Sequence, residues 1–341
     1  MTTIHGYAAM QRGQALKAFN YSPDELGPMD VEVAITHCGI CHSDLHLIDN
    51  DWKISSYPFI PGHEIIGTVA GAGAQVAHLK AGDRVGIGWQ RGACLVCEQC
   101  ASGHDHLCAK HAATCVGHHG GFAERIRVDS RYAFPVPSAL ASENAAPLLC
   151  GGATVYSPLR HHGVRPDQRV GVIGIGGLGH LALQFAAAMG CEVTAFSASP
   201  DKEKEAKSFG AHHFLSSREP LKERRGGGYL DIILTTVFVD LDWPAYLKTL
   251  RPNGTLCFLG APPSPLSIPA AMLQSGQKSV GASVIGSRHT IAEMLEFAAR
   301  HGITAKTEVL PLAEVNTALD KVRSNRARYR MVLEAGGPRA V

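Results

Sequence analysis

Four cysteines, Cys94, Cys97, Cys100 and Cys108, stand in the stretch CLVCEQCASGHDHLC, three of them at three-residue intervals. Cysteines two residues apart can turn their thiolates toward one point. Four thiolates at about 2.3 Å complete the closed tetrahedron that a structural zinc prefers. The bacterial iron-sulfur run repeats cysteine at the same interval, but it closes after three residues and is followed by proline. Here seven residues intervene before Cys108, and Ala109 follows. Ordinary core packing does not explain a periodic cysteine run among Glu98, Gln99, Ser102, His104, Asp105 and His106. The spacing therefore predicts a structural zinc lobe.

The remaining composition narrows the function classes. With 341 residues and 45% hydrophobic content the chain can bury two cores. Its 32 basic and 30 acidic residues leave a formal charge of +2, which gives no electrostatic footprint for nucleic acid or an anionic membrane. The N-terminal MTTIHGYAAMQRGQALKAF lacks the basic start and apolar core of a secretory signal, and no stretch has the length of a membrane span. A soluble cytoplasmic protein is expected, whose ten cysteines serve as metal ligands or buried small residues, not as disulfides. Cys38, Cys115, Cys191 and Cys257 fall in apolar or β-like contexts and read as buried small residues.

Up to residue 150 the pattern is short β-type runs (VEVAITHCGI, IIGTVAGAG, DRVGIGW, FAERIRV) broken by glycine and proline, which predicts a β-rich, barrel-like domain. From 151 to 286 strand and helix alternate, as RVGVIGIG, GLGHLALQFAAAMG, CEVTAFS, DKEKEAKSFG, LDIILTTV and TLCFLGA. Such alternation builds a parallel, doubly wound sheet. The segment 287–341 opens with the helix TIAEMLEFAARHG, with Ile291, Met294, Leu295 and Ala298 on one face, and ends on the strand-like YRMVLEA. The run Gly226, Gly227, Gly228 reads as a surface loop.

Within VGVIGIGGLGHLALQF, Gly174, Gly176 and Gly179 fit G-x-G-x-x-G between a strand and a helix, with Gly177 and Leu178 completing the turn. Glycine there permits the tight turn and close backbone approach that seat a pyrophosphate on the helix N-terminus. The run Gly71 to Val76 lacks the third glycine and a following helix, so it reads as a plain turn. About twenty residues past the first glycine, where an NAD site places a carboxylate, stands Ser197. Ser197 and Ser199 can donate hydrogen bonds and Lys202 can supply positive charge, which favours NADP(H). The alternative is that Lys202 belongs to a solvated helix and cofactor use is mixed.

A second set of ligand types is scattered: Cys41 in CGICHSDLH, His63 with Glu64 in PGHE, and Cys150 in PLLCGGATVYSPL. Cysteine, histidine and cysteine would leave a tetrahedral zinc one open position, as catalysis requires. Spacing alone leaves open whether they converge.

The segments GICHSDLH, PGHEIIGTVAGAG, the cysteine run, AAPLLCGGATVYSPL, GIGGLGHLALQFA, MLEFAARHGI and NTALDKVRSNRARYRMVL together, and in order, resemble the zinc-dependent medium-chain alcohol dehydrogenases, in the cinnamyl alcohol dehydrogenase-like, NADP-linked branch. The resemblance implies an α/β protein with a GroES-like catalytic domain from residues 1–150 and 287–341, and a Rossmann domain from 151–286 inserted between. It implies two zincs per chain, with Cys41, His63 and Cys150 as catalytic ligands and Glu64 beside the metal as an occasional ligand. Asp44 would accept from the ring of His63, and Ser43 would start a proton relay through the cofactor ribose to His46. His42 and Arg330 would lie near the pyrophosphate and Thr154 near the nicotinamide. Without the resemblance, His42 and His46 would read as surface imidazoles. Trp52 and Trp89 are candidate pocket walls, although buried aromatics are usually core.

The expected activity is interconversion of primary alcohols and aldehydes, with aromatic and aliphatic aldehydes as substrates, and the expected assembly is a homodimer. The alternatives are a polyol or secondary-alcohol dehydrogenase of the same superfamily, and a non-catalytic, zinc-stabilised NADPH-binding protein.

Overall fold

The computed structural model describes residues 3–217 and 228–336, so Gly226 and Gly227 lie outside the described residues. The chain divides into two compact units, one of Met1–Ala153 with Gly286–Val341 and one of Thr154–Ile285. Among the described residues no helix is long and apolar enough to cross a membrane.

The first unit is built on a seven-stranded sheet ordered Thr307–Pro311, Arg330–Glu334, Asp30–Ile40, Glu64–Ala72, Arg84–Ile87 and Ala133–Pro135, with Arg125–Asp129 also pairing Asp30–Ile40. All pairings are antiparallel except the one between Thr307–Pro311 and Arg330–Glu334. Alternation sets the faces. In Arg125–Asp129 only Ile126 and Val128 are buried, and they join Val31, Val33, Ile35 and Ile65 in one core. The helix Arg288–His301 buries Ile291, Met294, Leu295 and Ala298, the face its periodicity indicated, and Ser287 caps it through a hydrogen bond accepted from the Thr290 N–H.

The second unit holds a six-stranded, wholly parallel sheet ordered His213–Ser216, Glu192–Ser197, Arg169–Ile173, Leu230–Thr235, Leu250–Phe258, Ser279–Ala282. In chain order this is 3-2-1-4-5-6, the doubly wound arrangement whose ligand crevice lies where the winding reverses. That point is between Arg169–Ile173 and Leu230–Thr235. Strand residues such as Val170, Val172, Ile233 and Leu234 are fully buried, as expected of strands covered on both faces. Together the two units make an α/β protein in which a β-rich domain accompanies a doubly wound sheet.

Candidate active site

The helix His42–Asp49 starts at Cys41, which sits in extended backbone as its N-cap. Asp44, three residues on, closes a capping box: its Oδ2 accepts from the Cys41 N–H at 2.9 Å. Its other oxygen, Oδ1, accepts from the Gly62 N–H at 3.0 Å and lies 3.1 Å from His63 Nδ1. One fully buried carboxylate thus ties the backbone of Cys41 to the ring of His63. With Nδ1 donating to Asp44, His63 Nε2 is the nitrogen left to ligate, and this buried atom has no hydrogen-bond partner.

The orphaned nitrogen has company. Cys41, His63, Glu64 and Cys150 each bring a ligand atom within 4.8 Å of the others. Cys41 Sγ and Cys150 Sγ are 3.9 Å apart; two thiolates on a tetrahedral zinc would sit about 3.8 Å apart, given zinc–sulfur bonds of about 2.3 Å. The donor set therefore fits a zinc. Its electrostatics split the two thiols: contact with Cys41 and burial push Cys150 well above its ordinary value. Contact with Cys150 holds the Cys41 thiol well below its ordinary value, helped by the ring of His63. Burial alone would lower His63, but the charges of Asp44 and Cys150 outweigh it and hold the ring well above its ordinary value.

Glu64 is the fourth group. It opens the strand Glu64–Ala72, and its Oε1 pairs with Arg330 Nη2, from the first residue of the strand Arg330–Glu334. Both side chains are buried, and Glu64 Oε2 has no partner. Burial pushes the Glu64 carboxyl up to about 7 against the opposing pull of Arg330. Sequence reading placed Arg330 toward a pyrophosphate and did not pair it with Glu64. No local signal links residues 266 apart.

Along the same helix, Ser43 Oγ lies 3.6 Å from Cys41 Sγ. His46 Nδ1 lies 2.8 Å from Asp51 Oδ2, so its Nδ1 proton is engaged and Nε2 is the basic nitrogen. Asp51 was not singled out from the sequence, since a carboxylate after a helix end carries no pattern. His42 is half-buried, and burial lowers its basicity. Trp89 stands edge-on to His63, centroids 4.9 Å apart, and Trp52, 42% exposed, lies 6.1 Å from Trp89 and 5.2 Å from His46. The structure thus gathers Cys41, His63, Glu64, Cys150, Asp44 and Arg330 with Ser43, and lines up His46, Trp52 and Trp89 beside them.

The cysteine lobe is a separate cluster. Sγ separations are 3.9 Å for Cys94–Cys100, 3.8 Å for Cys97–Cys108 and 3.5 Å for Cys94–Cys108, again matching a tetrahedral zinc with all four positions filled. The Cys97 N–H points at Cys94 Sγ (3.4 Å) and the Lys110 N–H at Cys108 Sγ (3.3 Å). N–H contacts from Val96 and Cys97 pull the Cys94 thiol down to about 6.

In the second unit, strand Arg169–Ile173 runs into Gly174, whose φ of +88° favours glycine. A Cβ on Gly179 would lie 1.8 Å from the Gly174 carbonyl oxygen, whereas one on Gly176 would meet nothing within 4 Å. The helix Gly179–Ala188 has no side-chain cap at Leu178, which leaves its N-terminus to an anion. A tight turn, an open face at Gly176 and an uncapped helix fit a pyrophosphate. Ser197, buried at the end of Glu192–Ser197, accepts from the Ser199 N–H at 3.1 Å, and Lys202 Nζ donates to the Ile175 carbonyl at 2.7 Å. Lys202 therefore reaches back over the glycine turn. Thr154 lies in the helix Gly151–His161, at the start of this unit.

Residues 27–138 match the family model of the alcohol dehydrogenase GroES-like domain, and residues 177–300 that of the zinc-binding dehydrogenases. The aldehyde reductase AdhA of Synechocystis sp. is 46% identical over 97% of this chain and 98% of its own length. A probable mannitol dehydrogenase of Fragaria ananassa is 42% identical, with 97% and 95% covered. Among solved structures, a cinnamyl alcohol dehydrogenase from Sorghum bicolor superposes with a TM-score of 0.93 at 37% identity, covering 99% of this chain and 100% of that one. The CAD from Helicobacter pylori complexed with NADP(H) gives 0.90 at 34% identity, with 98% of each chain covered.

Proposed function

Because the chain belongs to the zinc-dependent medium-chain alcohol dehydrogenases, in the cinnamyl alcohol dehydrogenase-like branch, we propose that it interconverts primary alcohols and aldehydes with NADP(H). The observation that carries this reading is the trio Cys41, His63 and Cys150, with the buried, unpartnered Nε2 of His63 turned toward the two sulfurs. A site of three protein ligands leaves a position for the substrate oxygen. When bound, the zinc supplies a Lewis acid for that oxygen and the dinucleotide supplies the hydride.

The chain's own residues do the rest. Asp44 holds the His63 tautomer and the Cys41 backbone in register. Arg330 restrains Glu64, so that this carboxylate does not close the cage permanently. Ser43, next to Cys41, exchanges the substrate proton, and His46, its Nδ1 engaged by Asp51, carries that proton onward through Nε2. The glycine turn Gly174 to Gly179 seats the pyrophosphate. Ser197, Ser199 and Lys202 select the 2′-phosphorylated cofactor, and Thr154 of the same unit adds a further cofactor contact. The lobe of Cys94, Cys97, Cys100 and Cys108 holds a second, structural zinc, making two per chain. A cytoplasmic compartment is proposed from the six thiolates reserved for zinc, and a homodimer from the family resemblance.

Trp52 and Trp89 beside His46 and His63 favour flat, apolar aldehydes. The likeness to a probable mannitol dehydrogenase supports the second reading, a polyol dehydrogenase, which needs a more polar pocket. A panel of aromatic and aliphatic aldehydes and polyols, assayed with NADPH, NADH and their oxidised forms, separates the two. Cys41→Ser and Cys150→Ser should each lose one of two zincs and all turnover while keeping the fold. Native turnover in a variant shown to lack that zinc would overturn the assignment.

A further inference from the structure

A cavity of about 730 Å³ opens in the first unit between the strand Lys17–Tyr21 with its following loop, residues 56–59, the strand Gln90–Gly92 and residues 117–119. None of Cys41, Ser43, His46, His63 or Cys150 lines it. Its size is that of a small-molecule site.

Arg91 lines this cavity, and its guanidinium stands apart from the other charges there. It is half-buried, its Nε is shielded from solvent without a hydrogen-bond partner, and among the described residues no carboxylate lies within ion-pair distance. Burial lowers its basicity, with the more distant Asp30 the only charge opposing. Of the charges lining the cavity, Arg127, Asp129 and Asp30 are already engaged, whereas Asp24 and Glu25 are exposed to solvent. Arg127 bonds Glu32 at 2.7 Å and the Asp24 carbonyl, Asp129 accepts from Arg131 at 2.8 Å, and Asp30 Oδ2 accepts from the Gly27 N–H at 3.1 Å. Partly desolvated cations in proteins are paired, because the loss of hydration must be offset. A guanidinium fork matches a carboxylate or phosphate.

The cavity also has an aromatic lining. Tyr21 and His119 stack at a tilt with centroids 4.3 Å apart, and Phe59 lines the same space. His119 Nδ1 accepts from the Ile60 N–H at 3.2 Å, and burial keeps the ring below its ordinary basicity, so its proton sits on Nε2 as a second donor. The exposed carboxylates of Asp24 and Glu25, which also line the cavity, oppose a multiply charged anion more strongly than a single carboxylate.

We propose that this cavity is a binding site for a small aromatic monocarboxylate, with the carboxylate on Arg91 and the ring against Tyr21 and His119.

The test is calorimetric titration of the zinc-loaded protein with benzoate and with inorganic phosphate, at ionic strength held constant with chloride. Benzoate should bind saturably and more tightly than phosphate, and Arg91→Met should weaken it at least tenfold while aldehyde turnover stays native. Absence of saturable benzoate binding overturns the proposal. So does equal affinity in Arg91→Met, which is the result expected of benzoate on the catalytic zinc. Tighter binding of phosphate than benzoate overturns the aromatic monocarboxylate assignment. Arg91→Met removes a cation without a partner, so its urea midpoint should match or exceed the native one. Should that variant not fold, Arg91→Lys decides, since a point charge replacing the fork should lower benzoate affinity and unchanged affinity would refute the fork.

Discussion

The glycine turn offers a test in which stability and cofactor binding come apart. A Cβ on Gly179 would sit 1.8 Å from the Gly174 carbonyl oxygen, and real Cβ atoms essentially never approach closer than 3.0 Å, so strand end and helix start must part by about 1.2 Å. Both sides are backbone and cannot rotate away. Gly179→Ala should therefore cost the usual overpacking energy, about 1–3 kcal/mol, and should move the turn as well. Gly176 differs, since its Cβ would meet nothing within 4 Å. Gly176→Ala should leave stability within about 0.5 kcal/mol of native. Yet it places a methyl group on the surface that we assign to the pyrophosphate, and should raise the NADPH dissociation constant at least about tenfold, about 1.4 kcal/mol. Urea unfolding and a fluorescence titration with NADPH measure the two quantities on the same preparations. Native NADPH affinity in Gly176→Ala would refute the location of the pyrophosphate; native stability in Gly179→Ala would refute the packing argument.

Three further outcomes follow from the site. Asp44→Asn should lower affinity for one zinc by about 10–100-fold while the lobe keeps its own, as read by metal analysis after graded chelation; equal loss of both zincs would disprove the special place of Asp44. Lys202→Ala should raise KM for NADPH several-fold and leave KM for NADH nearly unchanged, and a uniform rise would show that Lys202 serves the turn and not the 2′-phosphate. Arg330→Met strands the buried Glu64 and should destabilise by about 3–5 kcal/mol; adding Glu64→Gln should recover much of that loss, and strict additivity in urea unfolding would deny the coupling.

The readable parts of this protein were those whose chemistry is local. The cysteine run needs about fifteen consecutive residues, and the glycine turn needs one strand, one turn and one helix. The helix Arg288–His301 announced its buried face by period alone. The trio Cys41, His63 and Cys150 was different: convergence of three residues depends on strands paired across the sheet, which no spacing encodes, and only the family resemblance suggested it. Asp44 acquired its second task, accepting from both Cys41 and Gly62 backbone, only when its three-dimensional surroundings were visible. Arg91 stayed silent for the opposite reason, since a lone arginine is informative only when its missing partner can be seen.

The position of Arg330 carries a consequence for how the molecule is made. Its strand, Arg330–Glu334, is inserted between Thr307–Pro311 and Asp30–Ile40, and its side chain answers the charge of Glu64. Until Arg330–Glu334 is made, the His37–Ile40 end of Asp30–Ile40 lacks its partner on that side, although Asp30–Ala34 can already pair Arg125–Asp129, and Glu64 lacks its counter-charge. Thr154–Ile285, contiguous in sequence, is under no such constraint and can fold while synthesis continues. The first unit thus waits for a strand distant in sequence, and during that interval the short edge His37–Ile40 is open to mispairing.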